Sequence, residues 1–113
     1  MVKEKYIPER GDIVWLNFNP QAGHEQKGKR PAMVISPKDY NEKTGLGLFC
    51  PITSKIKDYP FEVTIENKKI TGVVLSDQIK SLDWKTRKTE FIIKESSKIT
   101  DEIIQKITVL LYE

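Results

Sequence analysis

Short apolar runs, separated by glycine, proline and asparagine, occupy most of the chain. The first follows Gly11-Asp12 and ends before Asn19-Pro20, and another, at residues 32–35, lies between two prolines. That short length and those flanking prolines favour a buried strand over a helix. Further strands are predicted at residues 46–52, 61–65, 71–75 and 91–93. The pattern is typical of a small β-rich fold.

Polar segments connect these predicted strands. Residues 19–31 form a long polar loop, residues 39–45 a second loop, and residues 67–69 a turn. Trp15 lies within a predicted strand, so we expect it in the core. Trp84 has charged neighbours on both sides, so we expect it at an interface.

Near the C-terminus, the spacing of apolar residues changes to that of a helix. Five apolar residues recur there at helical spacing and form one stripe: Ile103, Ile104, Ile107, Leu110 and Leu111. Ser97 or Thr100 could cap this helix, and Asp101 and Glu102 favour the positive end of its dipole. Strands and helix together predict a mainly β fold, an SH3-like barrel of about five to seven short strands with a C-terminal α-helix.

Length and charge narrow the class of protein. A length of 113 residues predicts one domain over residues 1–113, since a single core serves about 100–150 residues. Apolar residues make up 38% of the chain, which is a thin core and is consistent with further burial through self-association. The net charge of +3 is compatible with a polyanionic partner, and the interspersed signs argue against a disordered basic tail.

The counts of cysteine and histidine exclude several kinds of site. One cysteine excludes an internal disulfide framework and a cysteine-based zinc cluster, and one histidine excludes a two-histidine metal site. The N-terminus lacks the apolar region of a signal peptide, and no segment reaches the roughly 18 apolar residues of a membrane span. We therefore expect a cytoplasmic protein without a cofactor.

The 19–31 loop concentrates side chains that could act on a phosphodiester. Cleaving RNA without a metal needs a base for the 2′-OH, an acid for the departing oxygen, and a cation for the phosphoryl oxygens. The loop holds five side chains with suitable groups: His24, Glu25, Lys27, Lys29 and Arg30. Taken alone, this composition favours a solvated polar loop over a catalytic one.

Arg30 is distinguished by its position directly before Pro31, which restrains its backbone toward an extended form at the start of a strand. A cation held by a rigid element is better placed for catalysis than one on a loop tip. Thr53-Ser54 and Asp77-Gln78 also follow apolar strands, where they could contact RNA. Ordinary turn chemistry predicts the same residue types at those places.

Four segments, in this order, resemble the MazF/PemK family of toxin endoribonucleases. The segment YIPERGDIVWLNFNP resembles the family's first strand and its Gly-Asp turn. The segment GHEQKGKRPAMVISP resembles the family's most diagnostic segment. The segment CPITSKIKDYPFEV resembles the one that carries the family's threonine, and VVLSDQIKSLDW resembles the family's Asp-Gln stretch. Together the four segments cover nearly the whole chain and are more specific than any one of them.

The resemblance implies an SH3-like barrel, a homodimer, and the toxin role in a type II toxin–antitoxin system. It implies sequence-specific cleavage of single-stranded RNA (mRNA) without a metal or a ribosome, leaving 2′,3′-cyclic phosphate and 5′-hydroxyl ends and inhibiting translation and growth. It also implies an antitoxin of the MazE type, whose acidic segment lies across the RNA channel. A positive cleft that binds phosphates also attracts carboxylates.

Carried over by position, the resemblance makes Arg30 and Thr53 the catalytic pair and Glu25 a candidate base. The residues then expected to bind substrate are Asp77, Gln78, Lys29, Ser54 and Lys80. An arginine has a pKa above about 12, so Arg30 is expected to stabilise charge and not to remove a proton. Some relatives have an arginine where this chain has Leu75, so a scheme that needs a second arginine there does not apply.

Two other readings of the sequence stay open at this point. One is a non-catalytic toxin of the same barrel shape that acts on a protein such as DNA gyrase, since a fold does not fix a function. The other is an SH3-like peptide- or RNA-binding module, for which a denser aromatic groove than two tryptophans and four tyrosines is expected. Both predict that RNA stays intact.

Overall fold

The computed structural model describes residues 5–18 and 28–112. Within these ranges the chain forms seven strands, two α-helices and one 3-10 turn. The elements are β1 (Asp12–Asn17), β2 (Lys29–Val34), α1 (Lys38–Thr44), β3 (Leu46–Thr53), β4 (Glu62–Glu66), β5 (Thr71–Leu75), the 3-10 turn Ser76–Gln78, β6 (Lys80–Asp83), β7 (Glu90–Lys94) and α2 (Ser97–Tyr112). The prediction of a mainly β fold with a C-terminal helix is confirmed.

All the strand pairs are antiparallel, in the order β4-β5-β3-β2-β1-β7, and β6 also pairs with β3. The long strand β3 connects the parts of this sheet. Its first half pairs with β6, its middle with β2, and its last residues, Ile52 and Thr53, with β5. Because one strand serves three neighbours, the sheet curls into a half-barrel.

Side chains alternate across the central strands and build two core clusters. Ile13, Met33 and Cys50 occupy matching register positions in the first cluster, which Ile103 of α2 also joins. The second cluster contains Val14, Ala32, Val34, Phe49 and Trp84, among others. Fully apolar stretches of β1 and β2 are thus explained by burial on both faces.

The segment at 39–45, predicted as a loop, belongs mostly to helix α1. Pro37 lies at its start, and Gly45, with φ of 74°, ends it in the left-handed conformation. Only Asn41 is buried in this helix, so its sequence carries no apolar stripe. The loop prediction was wrong because helical periodicity is visible only where a helix buries an apolar face.

The burial of the two tryptophans differs from the sequence-based prediction. Trp84 is only 7% exposed, and its indole N–H donates to the carbonyl oxygen of Asn41 at 3.0 Å. Trp15 is 37% exposed, and its register neighbours are Pro31 and Glu90. Both tryptophan predictions were therefore wrong.

Three smaller differences concern one unpredicted strand and the ends of two predicted elements. Strand β6 was not predicted, since KSLD contains a single apolar residue. Strand β2 begins at Lys29, so the last residues of the predicted 19–31 loop are extended. The carbonyl of Ser96 accepts the amide N–H groups of Ile99 and Thr100, so both predicted caps, Ser97 and Thr100, lie inside α2.

Candidate active site

Arg30 is exposed on β2, where Leu16 of β1 is its register partner. This pairing with β1 fixes the backbone of Arg30, so its guanidinium starts from a rigid element. Pro31, which follows, lies opposite Trp15 and has no N–H to donate to the ladder. The sequence-based expectation that Arg30 stands on rigid scaffold is met.

Thr53 projects from the same face of the sheet as Arg30. Ala32 of β2 and Pro51 of β3 are register partners. Arg30 precedes Ala32 by two residues and Thr53 follows Pro51 by two, and positions two apart along a strand share a face. The pairing of β2 with β3 ends at Ala32 and Pro51, and Thr53 pairs with Val73 of β5; continued by two residues, the β2–β3 register would bring Arg30 opposite Thr53.

The hydroxyl of Thr53 has one contact within its own turn. Its Oγ1 atom accepts the amide N–H of Lys55 at 3.1 Å. An acceptor bond of this kind orients the hydroxyl and leaves its proton available to donate. A phosphate oxygen on the Arg30 side of the sheet is a suitable acceptor.

Lys80 joins the same face by the register of β6. It pairs with Phe49, which belongs to the second cluster with Ala32 and Val34. Its Nζ atom lies 5.9 Å from the ring centroid of Phe18, a cation–π contact. Two cations and a hydroxyl thus share one exposed face.

A cleft of about 270 Å³ opens beside Thr53. Its walls include Thr53, Tyr59, Leu75 and Gln78. The phenol of Tyr59 donates to Oδ1 of Asp77 at 2.6 Å, and this hydrogen bond, with some burial, raises the pKa of Tyr59 to about 12. Thr53 and Gln78, both predicted from the sequence, therefore line one cleft, and Asp77, also predicted, is hydrogen-bonded to Tyr59 in its wall.

Two predicted substrate residues lie apart from this group. Lys29 precedes Arg30 and so points to the opposite face, where it forms an ion pair with Glu90. Ser54 is exposed directly after β3. Glu25, the candidate base, and His24 lie outside the described residues.

Tyr59 is the site residue that sequence reasoning missed. An aromatic residue before a proline in a polar loop carries no local signal, and its contact with Asp77 spans 18 positions of the chain. Cys50 is excluded as a nucleophile at neutral pH, since burial, and then the charge of Asp77, raise the pKa of its thiol to about 12. In residues 5–18 and 28–112, no group of three His, Cys, Asp or Glu side chains could hold a metal ion.

Comparison with known proteins gives consistent matches across the chain. The family described as PemK-like, MazF-like toxin of type II toxin–antitoxin system matches residues 9–111. The endoribonuclease toxin MazF of Escherichia coli (strain K12) is 48% identical over 83 residues, which cover 74% of this chain and 75% of that protein.

Solved structures agree with the sequence matches. The crystal structure of MazF from Deinococcus radiodurans has a TM-score of 0.86 and 48% identity, covering 96% of this chain and 100% of that chain. A MazE-MazF crystal structure from the same organism has a TM-score of 0.85 and 42% identity, covering 96% and 98%.

The curled half-barrel and its C-terminal helix, with an exposed face of cations and a hydroxyl, agree with these matches. The chain belongs to the PemK-like, MazF-like toxin family of type II toxin–antitoxin systems. The resemblance seen in four sequence segments is confirmed. Among the described residues, no helix is long and apolar enough to cross a membrane.

Proposed function

We propose that this chain is a sequence-specific endoribonuclease that cleaves single-stranded RNA without a metal ion and acts as the toxin of a type II toxin–antitoxin system. The proposal is supported by the pairing of Ala32 with Pro51, since Arg30 and Thr53 each lie two residues further along the same strands. Its family membership and its relatives named endoribonucleases support it. With mRNA as the substrate, the activity is cytoplasmic and inhibits translation and growth.

Arg30 stabilises the charge that develops on the phosphoryl oxygens. A guanidinium presents a planar fork of N–H donors, which matches two phosphate oxygens better than an ammonium group does. Its pKa above about 12 makes it a poor base, so its role is electrostatic. Thr53 donates its hydroxyl proton to a phosphate oxygen and fixes the phosphate beside Arg30.

The 2′-oxygen attacks the adjacent phosphorus as its proton leaves, and the bond to the 5′-oxygen breaks. The products are a 2′,3′-cyclic phosphate and a 5′-hydroxyl. Glu25 is the candidate for the group that accepts the proton. Lys80, on the Arg30 face, adds positive charge along the path of the RNA backbone.

The remaining predicted substrate residues act around this centre. Gln78, which lines the cleft beside Thr53, and its neighbour Asp77 contact the RNA, and Ser54 contacts the RNA backbone where β3 ends. Lys29 contributes charge from the opposite face, where Glu90 partly neutralises it.

The partner is an antitoxin of the MazE type. The solved relatives include MazE-MazF complexes, which makes a similar complex of this chain the natural expectation. An acidic antitoxin segment would compete with RNA for Arg30 and Lys80, because both ligands are polyanions. Raising the salt concentration should weaken both complexes.

The toxin is a homodimer in this proposal. Four apolar or aromatic residues are exposed at the end of α2: Val109, Leu110, Leu111 and Tyr112. A contiguous exposed apolar patch marks an interaction site more often than a free surface. A second copy of the chain would cover this helix end.

Incubating the purified protein with a long RNA in EDTA, and mapping the 5′ ends, tests the activity. We expect defined cuts with 5′-hydroxyl ends. Arg30→Ala should lower the cleavage rate by about 10²–10³-fold, the usual effect of removing one charge-stabilising donor. Thr53→Val should lower the rate by at least about tenfold.

Lys68→Ala is the matched control, since Lys68 lies in the turn between β4 and β5, at the end of β4 remote from Glu62 and its cleft. It removes a cation outside the proposed site and should cleave like the wild type. Circular dichroism should show that all three variants are folded. Intact RNA with the wild-type protein, or unchanged cleavage by Arg30→Ala, would contradict the proposal.

A further inference from the structure

We infer that a second cleft binds a free nucleotide that carries two or more phosphates. This cleft lies between α1, the loop that joins β6 to β7, and the segment before β1, and we call it the lysine cleft after Lys5, Lys38, Lys85 and Lys88 in its lining. Its volume of about 820 Å³ is within the range of about 300–1,000 Å³ for small-molecule pockets. It shares none of its described lining residues with the cleft beside Thr53, so the site is separate from the proposed cleavage centre.

The lysine cleft concentrates positive charge. Its four lysines and one carboxylate, Glu42, give it a formal net charge of +3, which equals that of the whole chain. All four lysines are exposed, and in residues 5–18 and 28–112 none of them forms an ion pair. A concave surface lined by cations of this kind attracts a multivalent anion.

Hydrogen bonds hold the walls of the lysine cleft in place. Trp84 donates its indole N–H to the carbonyl oxygen of Asn41 at 3.0 Å, which joins the β6–β7 loop to α1. The hydroxyl of Thr89 donates to the carbonyl oxygen of Trp84 at 2.7 Å and closes that loop. The hydroxyl of Tyr6 donates to the carboxylate of Asp12 and fixes the tyrosine ring in the third wall. The cleft is therefore formed before a ligand binds.

The backbone of Lys88 indicates a function for its side chain. Its φ of 53° lies in the left-handed region, where a β-carbon is crowded and glycine is favoured. A lysine at this position costs folding free energy that a glycine would not cost. Backbone strain of this kind is concentrated at functional sites. Binding of an anion by the Lys88 ammonium group explains why a lysine is present there.

An apolar and aromatic floor adjoins the lysines. Trp84 belongs to the second core cluster, and Tyr6 and Ile7 pack against that cluster while lining the cleft. The Nζ atom of Lys85 lies 5.7 Å from the ring centroid of Trp84, so a cation and an aromatic ring are in contact here. A ligand with a flat base beside its phosphates matches this combination, because the base covers apolar surface while the phosphates meet the lysines.

A free nucleotide fits this charge better than an RNA strand does. An RNA backbone spreads its charge evenly along the strand, whereas a di- or triphosphate concentrates several charges beside one base. Trp84 follows Lys80 by four residues, or about 13 Å of extended strand. A nucleotide in the lysine cleft would therefore lie beyond Lys80 and leave Arg30 accessible to RNA.

Isothermal titration calorimetry with ATP, at low salt and with EDTA to remove divalent metal ions, tests the inference. AMP should bind about tenfold or more weakly than ATP because it carries fewer charges, and inorganic tripolyphosphate should bind several-fold more weakly because it lacks a base. Lys88→Gly should weaken ATP binding about three- to tenfold and also raise the thermal unfolding midpoint, because it removes a charge and relieves the backbone. A lysine with only a structural role would not produce this pair of effects.

Lys68→Ala is the matched control, because Lys68 lies in the turn between β4 and β5 and lines neither cleft. It should bind ATP like the wild type, and so should Arg30→Ala, which removes a cation from the cleavage centre instead. Loss of ATP binding in Arg30→Ala, equal affinities for ATP and tripolyphosphate, or an affinity unaffected by Lys88→Gly would overturn the inference.

An RNA strand as the true ligand is also distinguished by these variants. If Lys88→Gly weakens the binding of an uncleavable RNA and the wild type binds no ATP at millimolar concentration, the lysines serve RNA and the inference is wrong. None of the ATP measurements depends on RNA cleavage. A failure of the proposed ribonuclease function would appear as intact RNA and would leave the ATP result unchanged.

Discussion

The side-chain amide of Asn41 donates a hydrogen bond to the carbonyl oxygen of Pro8, at 2.8 Å, and so joins helix α1 to the segment before β1. Its amide also donates to the carbonyl oxygen of Ser36, and its oxygen accepts the Ser36 hydroxyl. The main-chain oxygen of Asn41 accepts the indole N–H of Trp84. One fully buried polar residue therefore attaches a helix that has no apolar stripe.

Asn41→Ala should lower the free energy of unfolding by about 2–4 kcal/mol, because it leaves buried donors and acceptors around Asn41 without partners. Urea denaturation followed by tryptophan fluorescence measures the change. Glu42→Ala, at an exposed position of the same helix, is the control and should change stability by less than about 0.5 kcal/mol. Equal stability of the two variants would show that the Asn41 contacts contribute little.

Gly72→Ala should disturb the strand end that carries Thr53. A β-carbon at Gly72 would lie 2.4 Å from the main-chain oxygen of Thr53, so one of the two backbones must move. We expect a loss of about 1–3 kcal/mol in unfolding free energy and at least about a tenfold lower kcat/KM for RNA cleavage. Thr71→Ala, at the exposed neighbouring position, should leave both quantities nearly unchanged. Full activity of Gly72→Ala would mean that the placement of Thr53 tolerates this shift.

Glu90→Gln should increase the affinity for RNA, because Lys29 loses the carboxylate that partly neutralises it. Both side chains are partly exposed, so the effect at low salt should be about two- to fivefold. Lys29→Gln should change affinity in the opposite direction, and both effects should fade as salt is raised. Anisotropy titrations with an uncleavable RNA measure them. A salt-independent effect of Glu90→Gln would exclude this electrostatic explanation.

Stability should depend on pH through Glu9. A hydrogen bond from Lys94, and then the charge of Lys94, hold the pKa of Glu9 below its usual value. When the pKa of a carboxyl is lower in the folded state, its charge stabilises the folded protein at pH values above the unfolded-state pKa of about 4.3. This stabilisation is lost as the pH falls through the lower, folded-state pKa. Glu9→Gln should lower the urea midpoint at pH 7 and differ progressively less from the wild type in acid. Glu66→Gln, at an exposed strand end, is the control.

Leu111→Glu should convert the proposed dimer to a monomer. Leu111 is 74% exposed on the last turn of α2, where a carboxylate is well tolerated in a monomer but not in an apolar interface. Light scattering at several protein concentrations measures the molecular mass. Gln105→Glu adds the same charge at another exposed position of the helix and should leave the dimer intact. A dimer that persists in Leu111→Glu would require a different interface.

The strands and the C-terminal helix could be predicted because each buries an apolar face, and burial leaves a period in the sequence. Helix α1 and strand β6 could not be, since their contacts depend on Asn41 and on main-chain pairing with β3. The places of Trp15 and Trp84 depend on which part of the sheet another element covers. That is a property of the assembled fold and not of either residue's neighbours in sequence.

The candidate site was also predictable from the sequence only in part. Arg30 and Thr53 each stand at a strand end, which the sequence predicts. Their common face follows from the pairing of Ala32 with Pro51, and a shift of one residue in that register would separate them. Tyr59 was missed because its contact with Asp77 exists only once two distant loops are folded together.

Neither residues 54–60 nor the turn Ser76–Gln78 supplies a member of the two core clusters in the described part of the chain. Apart from Ser76, which is fully buried and hydrogen-bonded to Phe61, positions in these segments can change without removing a side chain from either core cluster. Duplicated copies of such a gene could therefore diverge toward different target sequences while keeping the same cutting centre. Directed evolution could use the same freedom: libraries confined to the nine positions 54–60, 77 and 78 would explore new specificities while every member of the core clusters is kept.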